Sequence, residues 1–471
     1  MLPFIGIMLV ALAIGVAAAG LADQENSRNV GLVFSGIVAA LAIVLLVYFI
    51  LVGSISYYES YQYYLPSLNV LLSFTLNPIS FVLLFMTSIV AFVTLLSGNP
   101  EHESERLSTS LILLFELSAV GLFASSNLFL FFIFWDVGVV ALFFMLYMLG
   151  SANRRKAAMK FIMYEIMASL LLLFAIMIIY FYTPLHSFDI QYIEANAGQI
   201  PANTQTLLFV LLFLAFLTNM PVFPLHLWLP EAHTEASTQG SMLLSGVLTK
   251  FGGYGMLLLF LMIPISTEYS NYVAVLAGIS AIYIAFVLMT QHDIKRVIAY
   301  TTITEMSIIL LGIASLNQFG ILGATYGMLA HGFTIALMFL AAGTIGHVFG
   351  TRDYRFLKGM VSNAVSTAYT FLAGVFATTG VPLTAAFIGD ILIFIGAVRA
   401  FGLFGAVPLI SILLFGVFLY YIVDKSFLST REQSQAVEPV EASQEAGFAI
   451  LLFFIFLFGV LPFVVLNFFN V

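Results

Sequence analysis

Apolar residues in this chain gather in long runs separated by short polar segments, with no strict alternation of the kind strands show. A helix that spans a bilayer needs about 20 mainly apolar residues. Runs of that kind fall near 1–22, 30–52, 77–97, 108–122, 125–149, 156–183, 204–229, 240–262, 271–289, 294–315, 320–349, 362–399, 402–424 and 446–468. They predict an all-α polytopic membrane protein of about fourteen transmembrane helices, with both termini on one side. The fourth run is short and the twelfth long. The first begins at Met1 and lacks a basic n-region or a small-residue cleavage site, so it reads as a retained helix.

Two runs are interrupted. The seventh breaks at Met220-Pro221-Val222-Phe223-Pro224 and the twelfth at Thr379-Gly380-Val381-Pro382. Proline removes a backbone donor and clashes with the preceding turn, so each helix should unwind there. Pro221 and Pro382 stand 161 positions apart, almost the interval between the starts of the fourth and ninth runs. Broken helices at matching places in two halves point to inverted repeats. The expected organisation is a three-helix segment at 1–107, repeats at 108–262 (runs 4–8) and 271–424 (runs 9–13), and an inner loop with a last helix at 425–471. Repeats of five helices must be inverted in the membrane. Prolines that merely kink two helices are the simpler alternative.

Composition agrees with the pattern. Of 471 residues 62% are hydrophobic and 8% charged, where a soluble domain carries roughly 25% charged residues. Basic residues then orient the chain, because short inner loops collect Lys and Arg. With the N-terminus outside, the inner connections hold Arg28, Arg106, Arg154, Arg155, Lys156, Lys295, Arg296, Arg352, Arg355, Lys358, Lys425 and Arg431, twelve of the fifteen. The outer segments 53–76, 184–203, 263–270 and 315–319 hold none. Lys160 lies just inside its helix, and Arg399 is the outer exception.

The absence of cysteine excludes disulfides, thiol catalysis and cysteine-ligated clusters on this chain. No Walker-type phosphate loop occurs, and no basic patch with interleaved aromatics suggests nucleic acid. His331 and His347 fall on one predicted helix, which lacks the usual two-helix arrangement for a bis-histidine haem. No metal site is expected.

Charge inside the apolar runs needs a reason, since a charged side chain at a helix centre costs roughly 2.5–3.5 kcal/mol on insertion scales. Lys250 sits mid-run in Leu248-Thr249-Lys250-Phe251-Gly252-Gly253. It either exchanges protons or is permanently paired to a carboxylate. Asp136 follows Trp135 in the fifth run, and Asp390 lies just past the second break; each is a proton carrier or, more readily for Asp390, a helix-end cap. Glu116, Glu165 and Glu305 also fall inside runs, the last two near enough to an end to be solvated. His331 is a relay or a satisfied hydrogen-bonding group. Together these side chains predict a chain of titratable sites at mid-membrane depth.

The ordered set of motifs resembles the antiporter-like membrane subunits of respiratory complex I. It comprises Phe134-Trp135-Asp136, Lys160-Phe161-Ile162-Met163-Tyr164, Met220-Pro221-Val222-Phe223-Pro224-Leu225-His226-Leu227-Trp228-Leu229-Pro230-Glu231-Ala232-His233, Leu248-Thr249-Lys250, Gln291-His292-Asp293-Ile294-Lys295-Arg296 with Ala299-Tyr300-Thr301, and Ala330-His331-Gly332. The resemblance spans residues from about 110 to 400. It implies proton translocation through paired half-channels, driven by quinone reduction elsewhere in a larger assembly. Quinone, flavin and iron–sulfur clusters would then sit on partner subunits, with other antiporter-like subunits and the lipid bilayer as neighbours, in a prokaryotic cell membrane. By position, Asp136 matches the fifth-helix carboxylate, Lys250 the central lysine and Asp390 the gate residue, whose acidity is similar to the subunit M branch (mitochondrial subunit 4-like). Two positions depart from the family. Asn219 stands where a lysine normally pairs with the fifth-helix carboxylate, and Glu305 where histidine is common. Asn219 cannot carry charge, so either the extra carboxylates reroute the path or the first half-channel is altered. The same motifs also fit a subunit of a multisubunit cation/proton antiporter or a membrane-bound hydrogenase, and a scaffold that has lost conduction is a further, non-transport reading.

Overall fold

The computed structural model describes residues 3–53, 55, 57–65, 70–98, 104–360, 364–428 and 440–469; Arg431, expected in an inner connection, lies outside them. Every apolar run has its helix. The first six are α1 (Phe4–Leu21), α2 (Gln24–Val52), α3 (Pro78–Leu96), α4 (Glu105–Ala124), α5 (Leu128–Leu149) and α6 (Arg154–Tyr182). The seventh run divides into α7a (Ala202–Asn219) and α7b (Leu229–Glu235), followed by α8 (Thr238–Met262). Then come α9 (Ser270–Leu288), α10 (Ile294–Ala314), α11 (Gln318–Phe349), α12a (Val365–Thr378), α12b (Ala385–Phe401), α13 (Ile410–Val423) and α14 (Ala442–Val460). Among the described residues thirteen stretches are long and apolar enough to cross a bilayer, with α12b and α13 running on as one, Ala385–Phe427. The protein is an integral, multi-pass membrane protein.

Packing follows from which side chains have somewhere to go. α8, α10 and α11 are enclosed almost all round and form the core. Helices at the periphery instead present large apolar side chains outward, among them Leu21, Val33, Phe174 and Phe404. So much outward apolar surface is stable against lipid or the apolar face of another membrane protein, not against water. Within this frame α4–α8 and α9–α13 form the two inverted five-helix repeats, each with its broken helix.

Each break shows its cause. Pro221 has no amide hydrogen for the Leu217 carbonyl, and Val222 N takes that acceptor at 3.3 Å. The neighbouring Thr218 carbonyl receives the Trp228 indole N–H at 3.0 Å, so a side chain from beyond the break satisfies an acceptor that the unwound stretch holding Pro221 and Pro224 has left open. In the twelfth helix Gly380 turns left-handed at φ 63°, a conformation glycine adopts without penalty. Val381 N reaches back to the Phe376 carbonyl at 3.1 Å and Pro382 follows in the unwound segment.

Two local features add to the expected helices. Residues 244–248 of α8 form a turn of π-helix, which widens the helix immediately before Lys250. Between α2 and α3 two strands pair antiparallel as a hairpin, β1 (Tyr57–Leu65) with β2 (Val70–Leu76). Glu59 accepts hydrogen bonds from the amides of Ile5 at 3.1 Å and Gly6 at 3.0 Å, and from the Tyr57 hydroxyl at 2.6 Å. Tyr57 in turn accepts from Phe4 N at 2.9 Å. The hairpin thus caps, in trans, the free amides that begin α1. Burial and the Glu59 carboxylate hold the Tyr57 phenol above its ordinary range. Glu59→Ala strands three donors, and each lost charge-assisted bond is worth about 1.5–3 kcal/mol. Amide exchange at Ile5 and Gly6 should therefore speed up at least tenfold, with α8 and α11 unchanged. Parental protection at both amides would show that the hairpin does not hold this helix end.

Candidate functional site

Lys250 lies at the centre of the molecule and is fully buried. Its ammonium is satisfied by three groups: the Ser245 carbonyl at 2.5 Å, the Thr249 hydroxyl at 3.3 Å and His331 Nδ1 at 2.5 Å. The π-turn explains the first of these contacts. A π-helical turn carries one residue more than an α-helical one and displaces carbonyls from their usual partners. The Ser245 carbonyl collects both the Lys250 ammonium and the Thr249 hydroxyl, the latter at 2.9 Å.

From Lys250 the polar groups continue across the second repeat. His331, on α11, offers Nδ1 to the lysine and turns Nε2 toward Glu305 Oε2 on α10, 3.8 Å away. Glu305 and His331 then share a cavity of about 20 Å³ with Asp390 on α12b and Thr378 at the end of α12a. The Asp390 carboxylate lies against Gly380, where an added Cβ would come within 2.6 Å of its Oδ2. The left-handed glycine thus opens the break and leaves room for the acid. Four of the expected side chains, Lys250, His331, Glu305 and Asp390, are brought together here from four helices.

From Ser245 the string extends to residues that local pattern did not single out. The Ser245 hydroxyl lies 2.6 Å from His233 Nε2, and Thr302 donates to the same hydroxyl at 3.2 Å. His233 is fully buried on α7b, stacked on Phe339 with ring centroids 4.3 Å apart. Its presence in the Pro230-Glu231-Ala232-His233 motif was the available signal. Near it a cavity of about 660 Å³ opens among Ser151, Arg154, Ser237, Lys295, Arg352 and Asp353. Several of these belong to the basic connections between helices.

The first repeat is arranged differently. Asp136 on α5 accepts from Ser169 on α6 at 2.5 Å. Glu165, one turn earlier on the same face of α6, is fully buried and receives the Asn219 amide at 3.2 Å. Asn219 closes the link to α8 by accepting from Gly252 N at 2.9 Å. The resemblance pairs position 219 with the fifth-helix carboxylate, whereas here the partner is Glu165. Lys160 pairs instead with Glu231 of α7b at 2.8 Å, partly exposed. Glu116 is placed apart: it is fully buried on α4 facing Ser35 of α2, and no described contact ties it to Lys250. Among the described residues no three histidine or carboxylate side chains converge as a metal ion would require.

Comparison with known proteins identifies the family of the chain. Residues 125–419 match the family described as NADH:quinone oxidoreductase/Mrp antiporter, TM. The NADH-quinone oxidoreductase subunit M of Rickettsia felis is 32% identical over 395 residues, covering 82% of this chain and 80% of that one. A subunit of respiratory complex I from Thermus thermophilus superposes with a TM-score of 0.88 at 24% identity, over 98% of this chain and 96% of the other, and shares the fold. A chain of the membrane-bound sulfane sulfur reductase, an archaeal respiratory membrane complex, does so with a TM-score of 0.87 at 26% identity, over 96% and 75%. The chain belongs to the NADH:quinone oxidoreductase/Mrp antiporter transmembrane family.

Proposed function

We propose that this chain is the proton-translocating membrane subunit of a complex I-type oxidoreductase, moving protons along its buried polar string while quinone is reduced on other subunits. The observation that carries this reading is Lys250, wholly enclosed and 2.5 Å from His331. A structural lysine would be expected to meet a carboxylate directly. Lys250 meets an imidazole, whose two nitrogens can take a proton on one side and release one on the other. With Nδ1 accepting from Lys250, Nε2 carries the hydrogen and faces Glu305. A proton arriving at Nδ1 therefore frees the one on Nε2, toward Glu305 and the gate Asp390. On the entry side, the inner cavity, His233 and the Ser245 hydroxyl lead toward Lys250.

In this reading residues 1–107 are an N-terminal three-helix segment, 108–262 and 271–424 the two repeats, and 425–471 an inner loop with the last helix. Asp136 and Glu165 serve the first repeat, where Asn219 replaces a charge-bearing switch with an amide bridge. The chain lies in a prokaryotic cell membrane with both termini outside, as the basic inner connections favour. Flavin, iron–sulfur clusters and the quinone site belong to partner subunits, and neighbouring antiporter-like subunits flank it.

The test is transport by the assembled complex. The complex carrying a tagged copy of this chain, reconstituted in vesicles and supplied with a short-chain quinone and reductant, should build a proton gradient that a protonophore collapses. The gradient should form equally well without sodium. A chain that co-purifies only with small antiporter subunits, or sodium-dependent exchange without quinone reduction, would overturn the reading.

A further inference from the structure

The small cavity between His331 and Asp390 has an unmet demand for hydrogen bonds. Its volume is about 20 Å³, and a single water needs roughly 10–15 Å³ of such space. His331 Nε2, Glu305 Oε1 and Thr378 Oγ1 are each buried without a partner, and the residues bearing them all line this cavity together with Asp390. His331 and Thr378 are each 2% exposed, too little for bulk water to satisfy them.

Thr378 is the informative residue. A threonine inside a helix commonly returns its hydroxyl to the carbonyl four residues back. Thr379 does so, donating to Val375 O at 2.8 Å. Thr378, next in the chain, makes no such bond. Its hydroxyl remains available at the last turn of α12a, beside the break.

We propose that this cavity is a site for one ordered water, positioned by Thr378, that joins His331 to Glu305 and Asp390. The groups that line the cavity can meet all four of a water's hydrogen bonds. Water accepts two hydrogen bonds and donates two. The His331 Nε2–H and the Thr378 hydroxyl supply the two donors; the Glu305 and Asp390 carboxylates supply the two acceptors. His331 and Glu305 are 3.8 Å apart, too far for a direct hydrogen bond. The water closes that gap and makes Thr378 a positioning residue for proton transfer. The charged and titratable groups around the site are Lys250 on α8 behind the imidazole, Glu305 on α10, His331 on α11 and Asp390 on α12b. α12a contributes Thr378, and α13 contributes apolar Ile412. A sodium ion is disfavoured by the Lys250 ammonium held against the far side of the ring.

This inference rests on the proton-path reading, and the experiment separates the two. Thr378→Val keeps the shape and removes the hydroxyl; Thr378→Ser keeps the hydroxyl. In the reconstituted complex, Thr378→Val should lower the ratio of protons moved to quinone reduced roughly tenfold, the scale of one buried hydrogen bond, and Thr378→Ser should restore it. A water-resolving map of the parent complex should show one peak within hydrogen-bond distance of all four groups, absent in Thr378→Val. Parental pumping by Thr378→Val, an empty cavity in the parent map, or a peak with sodium-dependent occupancy would each overturn the water site. Lys250→Ala decides what falls with it: if that variant loses pumping while Thr378→Val retains it, the path stands and only the water is lost.

Discussion

Lys250→Ala is expected to cripple proton translocation by the assembled complex without disrupting assembly. Truncation removes the ammonium from between the Ser245 carbonyl, the Thr249 hydroxyl and His331 Nδ1. Among the described residues no other group lies within hydrogen-bond distance of Nδ1, so the imidazole loses its donor and the second repeat loses its input. Positioned acid–base groups contribute about 10²–10⁴-fold to proton transfer, and pumping is expected to fall by at least roughly 100-fold on that scale. Stability behaves differently. A buried charge is costly to hold, and deleting it relieves that cost while opening a void. The two effects oppose each other, so the complex should still assemble. Lys250→Arg sharpens the argument, because guanidinium keeps the charge but does not release its proton. Acidification of vesicles measured beside quinone reduction distinguishes the cases. Pumping at parental levels in Lys250→Ala would remove this residue from the path, and pumping by Lys250→Arg would show that charge alone suffices.

What local sequence made legible, and what it did not, follows from the range of the interactions. The helices were readable because an apolar run and a bilayer have the same length. Both breaks were readable because proline acts on its own turn, and Lys250 because a lone cation in an apolar run is conspicuous. The pairing of His331 with Lys250 joins residues 81 positions apart, and no local pattern encodes which face of α11 meets α8. The same holds for Asn219, whose neighbour is decided by the rotation of α6: Glu165 faces it, while Asp136 is held by Ser169 one turn further along. The π-turn at 244–248 left no mark in residue types, since Leu-Ser-Gly-Val-Leu suits an α-helix as well. The hairpin of β1 and β2 did leave one. Its aromatic and β-branched residues have strand propensity, but they lie between apolar runs, where a connecting loop is the simpler expectation. Thr378 was invisible for another reason: what distinguishes it from Thr379 is a hydrogen bond that is not made.

Gly252→Ala should destabilise the complex although alanine is the better helix former. In an exposed helix that exchange stabilises by about 1 kcal/mol. At Gly252 an added Cβ would meet Met220 N and Phe216 O, each at 2.6 Å. These are backbone atoms of α7a at its broken end, joined to each other by a hydrogen bond of 2.8 Å, so they cannot rotate aside as a side chain would. Relief requires α8 to move away from α7a, and overpacking of that kind costs about 1–3 kcal/mol or more. The same movement pulls Gly252 N from Asn219 Oδ1, now 2.9 Å away, and loosens the amide that holds Glu165. Thermal unfolding of the purified complex should therefore shift down in Gly252→Ala, with a smaller yield of assembled protein. Gly198→Ala is the matched control, because nothing lies within 4 Å of a Cβ built there. A midpoint for Gly252→Ala at or above that control would mean that the two helices have slack between them. Asn219 would then not be fixed by close packing, and the amide bridge of the first repeat would need another cause.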